Sequence, residues 1–126
     1  MKKVIKSQKA PAPLGPYNQA ILSGNTLYLS GQVGIDPAKG EVVPGGVTRE
    51  AEQVMKNLQA VLEEAGYSFQ DVVKTSIFLK DMNDFTKVNE VYGSYFDEDT
   101  APARETVEVA NLPKFVHVEI SMIAVK

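Results

Sequence analysis

Residues 116–125, VHVEISMIAV, alternate in a way that few folds can accommodate. Read as a strand, they put Val116, Val118, Ile120, Met122 and Ala124 on one side. His117, Glu119, Ser121, Ile123 and Val125 fall on the other. The first side is wholly apolar and needs a core. The second is half apolar, although a strand side meant for water normally carries polar residues throughout. Residues 71–80, DVVKTSIFLK, repeat the pattern, with Val73, Thr75, Ile77 and Leu79 opposite Val72, Lys74, Ser76, Phe78 and Lys80. A sheet built from these strands needs cover on both faces.

The rest of the chain supplies cover for one face. Val47, Ala51, Val54, Met55, Leu58, Val61, Leu62 and Ala65 recur at spacings of three and four, which predicts an amphipathic helix over residues 48–65. Thr48 is placed to cap its start and Gly66 to end it. A second helix is expected over residues 84–96, with Phe85, Val88, Tyr92, Tyr95 and Phe96 on its inner side. AILS and TLYLS flank Gly24-Asn25 and predict a hairpin with a two-residue turn. ETVEVA reads as a further strand. The order is hairpin, helix, strand, helix, two strands. That order describes one domain over residues 1–126, an α+β sandwich with two helices on one face of a mixed sheet. The second face is expected to meet another copy of the chain.

Composition removes several classes of function. The net charge of −3, with scattered lysines, argues against nucleic acid or an anionic membrane as partner. The absence of cysteine removes disulfides, thiolate catalysis and cysteine metal sites. His117 is the only histidine, too few for a usual zinc site, and reads as a surface or interface residue of its strand. No stretch approaches the roughly 20 apolar residues of a membrane helix, and none follows the basic start as a signal peptide would require. A cytoplasmic protein is expected.

The arginines are more pointed. Only Arg49 and Arg104 occur among 13 basic residues. Arg104, in PARETVEV, opens a strand, where its planar fork of donors matches a carboxylate better than lysine does.

Five blocks then fall in a familiar order: GPYNQA, LYLSGQVG, VVKTSIFLKDMNDF, VNEVYGSYF, and PARETVEVANLPK followed by VEI. Together they resemble the RidA (YjgF) family of enamine and imine deaminases, over nearly the whole chain. The resemblance implies the chorismate-mutase-like α+β fold, assembled as a homotrimer with clefts between subunits. It implies hydrolysis of 2-enamine or 2-imino acids to 2-keto acids and ammonia, with no cofactor and no metal. Such compounds, 2-aminoacrylate and 2-iminobutanoate, leave pyridoxal-phosphate dehydratases that act on serine and threonine.

Residue by residue, the resemblance makes Arg104 the grip on the substrate carboxylate. Glu119, in VEI, becomes the carboxylate that manages water, or that shuttles a proton between enamine and imine. The plain alternative for Glu119 is an ion pair at the oligomer interface, with Lys74 or Lys80 as partners. Tyr17 lines the cleft as a third catalytic residue; a ring packed on the sheet would look the same. Ser30 and Gly31 match the strand end beside the ligand, Asn89 a helix asparagine that reaches the cleft, and Phe85 its wall. Thr106 stands where many members carry cysteine, and Glu105 where they carry a small residue, so substrate preference is the property these departures touch. Ser121 replaces a frequent acidic residue. A metabolite-binding regulator using the same cleft is the competing reading. Ribonuclease activity fits the acidic chain poorly.

Overall fold

Strand pairing decides which side chains share a face. The computed structural model describes residues 2–126. Its strands are β1 (Lys2–Ile5), β2 (Ala20–Ser23), β3 (Thr26–Gln32), β4 (Ile35–Asp36), β5 (Glu41–Val42), β6 (Val72–Leu79), β7 (Ala103–Glu108) and β8 (Val118–Val125). The helices are α1 (Val47–Glu64) and α2 (Phe85–Gly93). Six strands form one sheet in the order β1-β2-β3-β8-β6-β7, and β4 pairs with β5 in a separate small ladder. Only β6 and β7 are parallel in the large sheet. The helix between them is the crossover that parallel strands require.

The expected α+β arrangement is present. The stripe of α1 supplies Ala51, Val54, Met55, Leu58, Val61 and Leu62, none with measurable exposure. They pack against Leu27, Leu79, Val118, Ile120 and Ala124 of the sheet, also fully buried. Each large aliphatic side chain buried this way contributes about 1.5–3 kcal/mol. The hairpin forms as predicted, with Ser23 opposite Thr26 and Gly24 at φ 61°, a backbone region glycine enters without steric cost.

Several sequence expectations are corrected. Thr48 does not cap α1: Gly46 holds the cap position and no side chain bonds there. The second helix is shorter than residues 84–96, ending at Gly93, although Tyr95 and Phe96 still pack on the core. The Lys-rich strand β1 was not expected; it is a short, mostly exposed edge strand, which leaves little apolar signal. Strand β6 does not alternate strictly. A register shift between Val72 and Lys74 sends Val72 into the core and leaves Val73 48% exposed. One extra residue in a bulge flips the phase of everything after it.

The face away from the helices is open in the single chain. Tyr28 opposite Ile123, Phe78 opposite Val107, and Val125 lie on it, and Tyr28, Val107 and Val125 are exposed. No helix among the described residues is long and apolar enough to cross a membrane.

His117 is a surface residue, as expected, with 49% of its side chain exposed. It precedes β8 rather than belonging to it, and it ties that strand to α1. Its backbone N–H donates to Oε1 of Glu50 at 2.8 Å, and its ring Nδ1 meets Oε2. Glu50 is buried, so the imidazole serves a carboxylate that would otherwise lack a cationic partner. The hydrogen bond to Glu50 raises the His117 pKa above its ordinary value, desolvation opposes it, and the charges of Glu50 and Asp84 add to the rise. The folded chain therefore favours imidazolium. The stabilisation is complete below the unfolded value of about 6.5 and is lost as pH rises through the raised folded value. Thermal melting between pH 5 and 9 is expected to show the midpoint dropping by a few degrees across that window. A His117→Gln chain, which cannot titrate there, should lack that component.

Candidate functional site

The predicted site residues assemble into two groups on opposite faces of the sheet. Arg104 belongs to the helix side. It is the register partner of Thr75, which is fully buried against the helices. Its Nη1 donates to Oδ1 of Asn89 on α2 at 2.7 Å. Its guanidinium carbon stands 5.7 Å from the Phe85 ring centre and 5.1 Å from that of Tyr92. Such cation–π contacts contribute roughly 0.5–1 kcal/mol each at exposed sites. Thr106, two residues along β7, faces the same way and joins Phe85, Asn89 and Arg104 around a narrow crevice with apolar walls from Ile77, Leu79 and Val88. The Thr106 hydroxyl is buried with no hydrogen-bond partner, and the crevice has no space for a water molecule. An orphaned hydroxyl beside a forked cation can donate to one oxygen of an acid once the crevice opens to admit it.

Glu119 belongs to the open side. It pairs with Phe78 across the β6–β8 ladder and lines a second crevice with Tyr17, Gly31 and Pro113. The carboxyl is half-buried and forms no ion pair. Within the chain, Lys74 binds Glu105 at 2.9 Å and Lys80 donates to the carbonyl of Ala110, so neither pairs with Glu119 of its own copy. Desolvation pushes the Glu119 carboxyl above the usual carboxylate range. A raised, unpaired carboxyl in a crevice is what a group that both gives and takes a proton needs.

Gly31 explains why that carboxyl fits. Between Leu29 and Gln32 the β3–β8 register shifts, so an extra residue bulges beside Glu119. A Cβ at position 31 would stand 2.7 Å from Glu119 Cδ and 2.9 Å from its Cγ. The glycine thus sits in a bulge and leaves the Glu119 side chain its room.

The remaining residues sort plainly. Tyr17 is 50% exposed at the mouth of the Glu119 crevice, its hydroxyl reached only by the Leu14 N–H at 3.4 Å. Ser30 lines neither crevice; its hydroxyl donates to the Asn18 carbonyl and its N–H to that of Gln19, latching β3 to the early loop. Glu105 is held by Lys74 and the Ser76 hydroxyl, which lower its pKa, so it stays an ordinary strand-edge charge. Glu108 accepts from the N–H of Met82. Sequence reasoning missed Pro11, Leu14 and Pro113 as walls of the Glu119 crevice and Tyr92 as a wall beside Arg104. The clustered prolines near residue 11 were a signal for a stiff wall, but nothing local said what they would face. Among the described residues no three His, Asp or Glu side chains gather as metal ligands.

Comparison with known proteins adds to this geometry. The family model Endoribonuclease L-PSP matches residues 7–126. A RutC family protein of Pyrococcus horikoshii is 54% identical over 126 residues, covering 100% of this chain and 99% of that one. The 2-iminobutanoate/2-iminopropanoate deaminase of Mus musculus is 52% identical over 126 residues, covering 100% of this chain and 93% of the mouse protein. Among solved structures, RidA from an Antarctic Psychrobacter superposes with a TM-score of 0.94 at 45% identity, over 98% of this chain and 99% of that one.

Proposed function

This chain belongs to the RidA family, and on that premise we propose that it is a 2-iminobutanoate/2-iminopropanoate deaminase, assembled from identical subunits as a cytoplasmic homotrimer. The observation that carries the proposal is the division of labour across the sheet. One face presents a forked cation with a spare hydroxyl, and the carboxylate that lines its pocket, Glu98, is solvent-exposed. The other presents a half-buried, desolvated carboxyl whose crevice offers one lysine, Lys114, and no forked guanidinium. Neither half completes a reaction. A second copy covering the open face would bring its Arg104 edge to the first copy's Glu119.

In such a cleft the chemistry runs as follows. Arg104 grips the carboxylate of a 2-imino acid, helped by the Thr106 hydroxyl, which fixes C2. Glu119 takes a proton from water as the water oxygen bonds to C2 and the C=N π pair moves to nitrogen. Returning that proton to nitrogen gives the carbinolamine; Glu119 then carries the carbinolamine hydroxyl proton to nitrogen as the C–N bond breaks, so that ammonia leaves and the C2–O bond becomes the C=O of the 2-keto acid. For an enamine, the same carboxyl first protonates C3. Tyr17 stands at the mouth to bind water or substrate.

The test is direct. A dehydratase generates 2-aminoacrylate or 2-iminobutanoate from serine or threonine, semicarbazide traps imine that escapes, and keto-acid formation is followed. Adding the chain should speed keto-acid release and lower trapped semicarbazone. Binding of 2-oxobutanoate with no effect on either product would instead make it a metabolite-binding regulator.

A further inference from the structure

Arg104 is a flexible side chain on an edge strand, and a two-point grip on a carboxylate requires its fork to stand still. Two of its three neighbours are poor at holding it. Asn89 is exposed, and Phe85 is 37% exposed at the first position of α2. Tyr92 differs. Its ring is 5% exposed and packs 4.7 Å from that of Phe96, centre to centre. Its hydroxyl donates to the Thr75 hydroxyl at 3.0 Å, and Thr75 is the cross-strand register partner of Arg104 itself. The ring is thus fastened at its far end to the residue beside Arg104 on the sheet, and its face is laid against the guanidinium.

We infer that Tyr92 is a positioning residue for substrate binding: its π face, held by Thr75, sets the plane of the Arg104 guanidinium so that its remaining N–H groups meet a 2-imino acid carboxylate together. With Nη1 spent on Asn89 and one flank closed by a fixed ring, the guanidinium has little freedom to turn. The inference rests on the proposed role of Arg104. It assigns no contact between Tyr92 and the substrate.

Calorimetric binding of 2-oxobutanoate, a stable product acid, separates the possibilities. Tyr92→Leu removes the ring face and should weaken binding about five- to tenfold, with kcat within about twofold once the site is saturated. Tyr92→Phe keeps the face and leaves the Thr75 hydroxyl without its donor. It should melt at lower temperature and bind about two- to threefold more weakly, between wild type and Tyr92→Leu, whereas a merely structural role would lower the melting point of both variants and leave both binding as wild type. Tyr92→Met replaces the leucine variant if that one does not fold, because the thioether fills irregular space. Wild-type binding by folded Tyr92→Leu or Tyr92→Met, beside lost binding in Arg104→Ala, overturns the inference. So does weakening in Tyr92→Phe as large as in Tyr92→Leu. Undiminished binding by Arg104→Ala would overturn the underlying assignment of Arg104 instead.

Discussion

Co-expressing an Arg104→Ala chain with a Glu119→Gln chain is expected to return about a quarter of wild-type turnover, although each variant alone is nearly inactive. The single losses follow from the separate roles. Removing the bidentate cation costs substrate affinity and orientation together, about 10²- to 10³-fold in kcat/KM. Removing the proton-transferring carboxyl costs about 10²- to 10⁴-fold in kcat. The recovery follows from the sheet. Arg104 and Glu119 face opposite sides within one chain, so the proposed cleft would draw its arginine from one copy and its glutamate from the next. In randomly mixed assemblies half the copies retain each residue, and about one cleft in four joins two intact halves. Chains carrying different affinity tags allow the mixed assemblies to be isolated before assay. If these hold both variants and stay as inactive as either alone, the shared cleft is wrong. The site would then have to lie within one chain, where the structure offers no common cavity to the two side chains.

The second large effect is expected from a single methyl group. Gly31→Ala should lower kcat by about 100-fold while the folded chain melts within a few degrees of wild type. The three atoms nearest the added Cβ all belong to the flexible side chain of Glu119. Gly31 has no positive φ, so alanine suffers no conformational penalty there. The collision is relieved by swinging the carboxyl aside, which costs little stability and leaves water without its base. A misplacement of about 1 Å is enough for a loss of that size. Arg104 on the partner copy is untouched, so 2-oxobutanoate should still bind. Normal turnover in Gly31→Ala would mean that the carboxyl works from a different position. Lost binding together with lost turnover would mean that position 31 touches the ligand and does more than make room for Glu119.

Much of the fold was legible from residue spacing. The stripe on α1 is buried at nearly every position named, because a period of 3.6 admits one apolar face whatever the surroundings. The two-residue hairpin was equally plain. The candidate site was legible as a set of residues and not as an arrangement. The motif around Arg104 and that around Glu119 carry their chemistry in residue type: a forked cation, and a carboxyl set among apolar neighbours. Tyr92 was read only as an inward-facing ring, because helical periodicity distinguishes inside from outside and says nothing about which cation a buried ring will meet.

The sequence by itself determined the elements, the core-facing residues and the charged groups available for chemistry, since alternation and helical period act over a few neighbouring residues. Tertiary structure alone decided that Arg104 looks toward the helices, on the face opposite the one that the alternation of β8 had already assigned to Glu119. Which way a side chain faces relative to one on another strand depends on register and bulges. The shifts after Val72 and between Leu29 and Gln32 each reset that phase by one residue.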